Sequence, residues 1–256
     1  MTRIQLWSCG GGRQSAGIAA FIVQGRLPKP DHIVMCGLKG EKRSTWDYVC
    51  GTIRPAMKSI GIPFTIVSSA KYATRGFFSG HDGNGPVMPM YTNQSGQPGK
   101  LSEWCSGEWK REVAMRWAAE QPGWKDRGVD NWIGISQEEK DRRRAPRKQW
   151  LKPVYPLLDF MGKSIHVSSC LAAVESLGWP QPPRSRCIYC PNQSDAEWAE
   201  LTPQELEKAA SAEDEIRKVD PHAFLHKQLV PLRLVVLDPK DDNGGLLGGC
   251  TSGMCY

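Results

Sequence analysis

The first 70 residues alternate between two hydrophobic patterns. Short runs of alternating or continuous apolar residues are typical of strands, and they occupy residues 3–7, 32–36 and 64–68. The runs between them predict helices over residues 16–23 and 44–60. Strands that alternate with helices form a parallel sheet that is covered by helices on both faces. The pattern therefore predicts an α/β fold with a Rossmann-like sheet.

The rest of the chain continues the α/β pattern but contains more loop. The further predicted elements are helices over residues 108–120 and 164–177, a strand over residues 132–136 and a helix capped by Thr202. Residues 76–100 are rich in Gly, Asn, Pro and Ser, which is typical of a long loop that serves either as a substrate lid or as an insertion.

A domain boundary is predicted close to residue 178, before a proline-rich stretch. Residues 1–178 are expected to form the α/β domain. Residues 179–256 are expected to contribute a cysteine-containing segment, a helix and a mobile tail that pack on the same domain.

Composition narrows the class of protein. A chain of 256 residues can form one sizeable core, and no apolar run approaches the roughly 20 residues that cross a bilayer. The N-terminus lacks the pattern of a signal peptide, so we expect no membrane association and a cytoplasmic location. A formal net charge of +6 suits a polyanionic ligand such as a nucleotide and permits contact with nucleic acid.

The most informative motif is the glycine-rich turn of residues 8–15, which separates the first predicted strand from the first predicted helix. Three consecutive glycines leave the backbone N–H groups accessible, and the start of a helix attracts anions. Ser8 and Ser15 add hydroxyl donors. The turn is therefore predicted to bind a phosphate group, and close packing of the backbone is the alternative role for its glycines.

A second motif is the Cys-x-x-Cys pair of Cys187 and Cys190. Two thiols at this spacing can bind one metal or cluster, form a redox dithiol, or simply be buried. Cys105, Cys250 and Cys255 are the candidate partners, and a set of four cysteines suits an iron–sulfur cluster or a structural zinc ion. Core positions are predicted for the remaining four cysteines, which are Cys9, Cys36, Cys50 and Cys170.

Several motifs follow one another along the chain. After the glycine turn come Cys105-x4-Lys110, Gly134-Ile135-Ser136-x-Glu138-Glu139-x-x-Arg142, Ser185-x-Cys187-x-x-Cys190-Pro191 and Cys250-x4-Cys255. In kind and order these motifs resemble the PP-loop ATP pyrophosphatases and the phosphoadenylyl-sulfate (PAPS) reductases. They span most of the chain, which is therefore identified as similar to the PAPS reductase-like proteins of bacteria and phages. A phage origin would place it in the host cytoplasm.

The resemblance implies an adenine nucleotide α-hydrolase-like fold with a cysteine-containing C-terminal appendage. It also implies that ATP or an adenylyl sulfate (PAPS or APS) binds at the turn, with Mg²⁺ as an optional cofactor. The implied phosphate contacts are Ser8, Gly10, Gly11, Gly12, Arg13 and Ser15. The implied catalytic cations are Lys110 and Arg142. A [4Fe–4S] cluster, or alternatively zinc, is implied at Cys105, Cys187, Cys190 and Cys250, with Cys255 as the other candidate for the fourth ligand.

Three activities are compatible with this resemblance. The first is sulfur transfer from a cluster or a sulfur donor protein to an acceptor that ATP activates. The second is a thiol-dependent reductase that releases sulfite, with Cys255 as its nucleophile. The third is a nucleotide-sensing accessory protein without turnover. A basic stretch over residues 140–148 either follows a nucleic-acid backbone or closes over the nucleotide.

Two positions depart from the motifs of these relatives. Gly37 stands where many relatives have an acidic residue, although Glu41, Thr45 and Trp46 keep the pattern. Gln14 stands where many ATP pyrophosphatases have aspartate, and an amide cannot bind Mg²⁺ as a charged carboxylate does.

Overall fold

The computed structural model describes residues 2–73, 76, 88–101 and 105–242. They form two compact units. The first contains residues 2–72 and 109–185, and the second contains the described residues of 73–108 and 186–242. The chain passes from the first unit to the second after residue 72 and again after residue 185. The predicted domain boundary at residue 178, and the packing of residues 179–256 on the α/β domain, stay predictions.

Strands and helices alternate along most of the described chain. The strands are β1 (Ile4–Ser8), β2 (His32–Gly37), β3 (Phe64–Ser68), β4 (Tyr91–Thr92), β5 (Gly99–Lys100), β6 (Val129–Ile133), β7 (Leu151–Val154) and β8 (Ala223–Phe224). The helices are α1 (Arg13–Val23), α2 (Arg43–Tyr48), α3 (Arg54–Ser59), α4 (Ser69–Tyr72), α5 (Glu112–Glu120), α6 (Trp124–Arg127), α7 (Pro156–Asp159), α8 (Val167–Ser176), α9 (Asp195–Ala199) and α10 (Pro203–Arg217). No helix in the described part of the chain is long and apolar enough to cross a membrane.

The first unit is built on a five-stranded parallel sheet in the order β3-β2-β1-β6-β7. The strand order reverses at β1, which lies between β2 and β6. In open parallel sheets, ligands bind beyond the carboxyl ends of the strands at such a reversal. The predicted α/β fold with a Rossmann-like sheet is thereby confirmed, and the glycine turn follows the strand at the reversal.

The core of the first unit lies under α1, α3 and α8. Trp7 on β1 is paired in register with Ile33 on β2 and with Trp132 on β6, and all three side chains are fully buried. Helix α1 packs closely on α8, whereas α5 lies against β2 and β3. Large aromatic side chains contribute much of the buried apolar area, which holds α1 and its preceding turn in place.

Close packing of α1 on α8 requires a glycine. A Cβ atom at Gly17 would lie 2.4 Å from the Cβ atom of Cys170 and 2.9 Å from its Cα atom. Gly17→Ala is therefore expected to lower the free energy of unfolding by about 1–3 kcal/mol, as overpacking does in other cores. Denaturant titration measures this change. The control is Gly51→Ala, where a Cβ atom meets nothing within 4 Å. It should be neutral or stabilising by up to about 1 kcal/mol, and equal losses in both variants would contradict the packing argument.

Several elements differ from the predicted ones. Strand β6 begins and ends three residues earlier than the strand predicted over 132–136, because Gly134 to Ser136 follow the strand as loop. Strand β7 was not predicted, since Pro153 interrupts its short apolar run. The helix predicted over 44–60 consists of α2, a π-helical turn at Val49–Ile53 and α3, with Pro55 in the first turn of α3.

The second unit contains a small antiparallel sheet in the order β5-β4-β8. Strands β4 and β5 lie inside the predicted loop over residues 76–100, so the described part of this loop contains regular secondary structure. Thr202 caps α10 as predicted, and its hydroxyl and the Glu205 carboxylate form a reciprocal capping box. The buried Glu213 carboxylate accepts hydrogen bonds from the N–H groups of Leu225 and Leu232 and fastens α10 to the chain that follows.

Candidate functional site

The glycine turn begins where β1 ends. The N–H group of Cys9 donates to the carbonyl of Val34 at 2.8 Å and extends the pairing with β2 by one residue. The N–H group of Gly10 donates to the hydroxyl oxygen of Ser15 at 2.9 Å. Helix α1 starts at Arg13, and Gly12 at its N-cap supplies no capping side chain. The first turn of α1 therefore has backbone N–H groups that an anion can satisfy.

Gly11 and Gly12 pack too closely for any side chain. Gly11 has a left-handed backbone with φ of 74°, and a Cβ atom there would lie 2.7 Å from Cγ2 of Thr45 and 2.8 Å from Cγ2 of Val49. A Cβ atom at Gly12 would lie 2.6 Å from the hydroxyl of Ser185 and 3.1 Å from its backbone nitrogen. The glycines thus serve close packing, which was the alternative role, and the same contacts hold the turn in one shape.

A small polar recess adjoins the turn. It has a volume of about 10 Å³, enough for one water-sized group, and its lining includes Ser8, Gly10, Cys36, Glu41 and Lys110. The Lys110 amine lies 3.5 Å from the Glu41 carboxylate, and these side chains are 12% and 1% exposed. A charged pair is therefore buried directly beside the predicted phosphate contacts. The π-helical turn Gly107–Arg111, which leads directly into α5, brings Lys110 to this place.

Glu41 lines this recess, whereas the position of the missing acidic residue is closely packed. A Cβ atom at Gly37 would lie 3.2 Å from the Trp46 indole and 3.3 Å from Cγ2 of Ile66, so these side chains would have to shift by a few tenths of an ångström. The recess therefore has its carboxylate from Glu41 and not from position 37.

The side chains of Gln14 and Arg142 meet at one carboxylate. The Gln14 amide donates to Glu139 at 2.9 Å, and Arg142 forms an ion pair with the same Glu139 side chain. Arg142 is thus connected to the turn through Glu139 and Gln14. It lines a larger cavity, whereas Lys110 lines the recess. Its predicted catalytic role stays a prediction, as do the phosphate contacts of Arg13 and of the turn.

Of the four cysteines that were predicted to lie in the core, Cys9 and Cys170 are buried and Cys36 is half-buried. Burial raises the pKa of the Cys9, Cys36 and Cys170 thiols to about 12, so they stay protonated at neutral pH. The Cys36 thiol donates to the carbonyl of Lys110 at 3.1 Å and supports the start of α5. The core position predicted for Cys50 is wrong, because this residue is exposed on the π-helical turn.

Cys187 and Cys190 form a tight turn in the second unit. The N–H group of Cys190 donates to the carbonyl of Cys187 at 3.0 Å, and that of Gln193 donates to the carbonyl of Cys190 at 3.3 Å. Both cysteines are half-buried. Burial raises the pKa of nearby Tyr91. The charge of Lys227 reduces this shift, and that of Cys190 increases it. Cations near a cysteine favour its thiolate, which is the form that binds metals.

The complete predicted metal site is not assembled among the described residues. Within residues 2–73, 76, 88–101 and 105–242, no three Cys, His, Asp or Glu side chains converge as metal ligands would. Cys105 is half-buried at the start of a helical turn. Cys250 and Cys255 lie outside the described residues. The ligand set of Cys105, Cys187, Cys190 and Cys250, and the role of Cys255, stay predictions.

Fold and turn together define the class of protein: an α/β chain with a Rossmann-like sheet and a glycine-rich turn at the reversal of strand order. No protein-family model and no curated protein matches the sequence. Among solved structures, the chain is similar to the U34-tRNA thiolase NcsA from Methanococcus maripaludis with its [4Fe-4S] cluster. The identity is 16%, the match covers 86% of this chain and 67% of that one, and the TM-score is 0.42.

Two features of the site were not assigned from the sequence. Glu41 belonged to a recognised motif, but only the fold brings it beside Lys110. Asn131 lies just before the predicted strand over residues 132–136, where nothing in the sequence singles it out. In the structure it belongs to β6, and its side-chain oxygen accepts a hydrogen bond from the buried Ser8 hydroxyl at 2.7 Å.

Proposed function

We propose that this chain is an enzyme that binds an adenine nucleotide at the glycine turn and uses it in sulfur-transfer chemistry. The observation that supports the proposal is the buried pair of Lys110 and Glu41 next to the glycine turn. A buried ion pair is expensive to desolvate and stabilises a fold little. Its position beside backbone N–H groups and a helix start is consistent with a role in binding, because the Lys110 amine, the N–H groups and the helix start all attract a phosphate group.

In the proposed reaction an oxygen of the acceptor attacks the α-phosphorus of ATP, and pyrophosphate leaves with the electron pair of the broken P–O bond. A sulfur species then displaces AMP from the acceptor. The turn holds phosphate oxygens through backbone N–H groups, and the amine of Lys110 stabilises the charge that develops on them. Glu41 positions that amine. The recess accepts one group of water size, so the nucleotide itself lies above the turn.

The cysteine turn fits part of the proposed cluster site. Cys187 and Cys190 have the spacing and the hydrogen-bonded turn that bring two thiols to one cluster. Together with Cys105 and with Cys250 or Cys255 they would hold a [4Fe–4S] cluster, or alternatively zinc. When bound, such a cluster would carry the sulfur atom that is transferred. A sulfur donor protein is the partner that this activity implies.

Product analysis tests the reaction. The anaerobically purified protein is incubated with ATP and, separately, with PAPS, and pyrophosphate and sulfite are measured. Release of pyrophosphate from ATP is the expected result. Release of sulfite from PAPS would replace the proposal by the thiol-dependent reductase, with Cys255→Ser as the next variant. Tight nucleotide binding with neither product would make the chain an accessory protein that senses nucleotide.

Iron content tests the cysteine assignment. Cys187→Ser is expected to reduce the iron and acid-labile sulfide of the anaerobically purified protein to half or less, because one of the cluster ligands is lost. The matched control is Cys50→Ser, which changes an exposed cysteine outside the proposed ligand set. A colourless wild-type protein that contains zinc would contradict the cluster. Equal iron in both variants would contradict the role of Cys187.

A further inference from the structure

The first unit contains a second and much larger cavity, with a volume of about 360 Å³. Its floor is the exposed face of the last two strands, with Asn131 and Ile133 from β6 and Leu151 and Pro153 from β7. Helix α5 forms one wall, and the loop over residues 142–148 forms another. Ligand sites in proteins start at about 300 Å³, so this cavity has the size for a small molecule or for one nucleotide.

The rim of this cavity is strongly basic. Five cations and one carboxylate line it, namely Arg111, Arg142, Arg144, Arg147, Lys148 and Glu112. Arg111 pairs with Glu112, and Arg142 pairs with Glu139. Arg147 and Lys148 are exposed to solvent. The cavity therefore combines an apolar floor with an excess of positive charge at its mouth.

Few ligands match both properties. Apart from Asn131 the floor is apolar and suits an aromatic ring, and the cations at the mouth suit phosphate groups attached to that ring. A sugar phosphate lacks the ring, and a hydrophobic ligand lacks the charge. A nucleoside that carries phosphate has both.

The cavity and the recess beside the glycine turn are neighbours. The hydroxyl of Ser8, which lines the recess, donates to the side-chain oxygen of Asn131, which lines the cavity. The π-helical turn before α5 also contributes to both, with Lys110 at the recess and Arg111 at the cavity. A group bound in the cavity therefore lies beside the site proposed for the nucleotide phosphates.

We propose that this cavity binds a second phosphorylated nucleoside, which is the acceptor of the sulfur-transfer reaction. The acceptor role rests on the proposed function, whereas the binding of a nucleoside phosphate does not. The same groups, a nucleoside and its phosphate, occur in a free nucleotide and in each residue of a single-stranded nucleic acid. Its phosphates would contact the exposed cations Arg147 and Lys148.

The test is equilibrium binding of fluorescently labelled single-stranded RNA and DNA 12-mers, with unlabelled mononucleotides as competitors. The variant is Arg147→Glu/Lys148→Glu, and the control is Lys58→Glu/Lys125→Glu, which makes the same change in net charge at two exposed lysines that do not line the cavity. We expect the cavity variant to lose about tenfold or more in affinity, and the slope of log affinity against log salt to fall by about one to two. The control should change affinity about twofold or less.

The competitors distinguish the two sources of the ligand. If a mononucleotide displaces the labelled strand at the same total concentration of nucleotides as the unlabelled strand does, the natural ligand is a free nucleotide. If only the unlabelled strand displaces it, the natural ligand is a nucleic acid. Equal losses in both variants, or equal affinity for an abasic phosphate chain, would overturn the proposal. Binding of pyrophosphate at the glycine turn should be the same in both charge variants. A chain that binds the 12-mer but releases no pyrophosphate from ATP would disprove the proposed function and leave this site standing.

Discussion

Replacing Gly11 by alanine is expected to weaken nucleotide binding by at least about 100-fold. A left-handed backbone costs an alanine about 1–2 kcal/mol, and the new Cβ atom would also overlap Thr45 at 2.7 Å and Val49 at 2.8 Å. Overpacking of this kind adds about 1–3 kcal/mol, and the turn can relieve it only by moving its N–H groups away from the phosphate. Isothermal titration calorimetry with ATP and with pyrophosphate measures the loss.

Gly25 provides a matched control for this variant. Its φ of 70° is nearly that of Gly11, but a Cβ atom there meets nothing within 4 Å. Gly25→Ala should therefore lose about 1–2 kcal/mol of stability and keep the wild-type affinity for ATP. Equal affinities for ATP in the two variants would show that the turn does not bind the nucleotide.

The second large effect is expected from Lys110→Met. This substitution leaves the carboxylate of Glu41 buried without its cation, and breaking a buried ion pair in this way costs about 3–5 kcal/mol of unfolding free energy. Thermal and urea unfolding measure this loss of stability. Pyrophosphate release should also be lost, since the amine is the proposed charge-stabilising group.

A double variant separates stability from activity. Lys110→Met combined with Glu41→Gln removes both charges, so the unfolding free energy should return to within about 1–2 kcal/mol of the wild type. Pyrophosphate release should remain absent because no cation has been restored. If the single and double variants are equally stable, the pair does not contribute as the structure indicates. If the double variant still releases pyrophosphate, Lys110 has no part in the reaction.

Local signals made most of the fold predictable. Strands β1, β2 and β3 lie within one residue of their predicted bounds, and so does the capped start of α10. The turn could be recognised because strand, glycines and helix follow each other directly. Strand β7 could not be recognised, because its four residues include a proline and it forms only by pairing with β6.

The site was less predictable than the fold because its contacts join distant parts of the chain. Lys110 and Glu41 are each part of a motif, but neither motif indicates that the two side chains form a buried pair. The packing of Trp46 over Gly37 likewise depends on how α2 meets β2. The large cavity forms where residues of α5, β6, β7 and the segment 142–148 come together, and no single residue signals that.

The contact between Gly12 and Ser185 has a consequence for sequence variation. A Cβ atom at position 12 would lie 2.6 Å from the Ser185 hydroxyl and 3.1 Å from its backbone nitrogen, so a larger residue at position 12 requires the chain at position 185 to move. In homologous chains, a residue other than glycine at position 12 should therefore occur together with a change in the segment around position 185. Two positions far apart in the sequence are thus expected to covary around this turn.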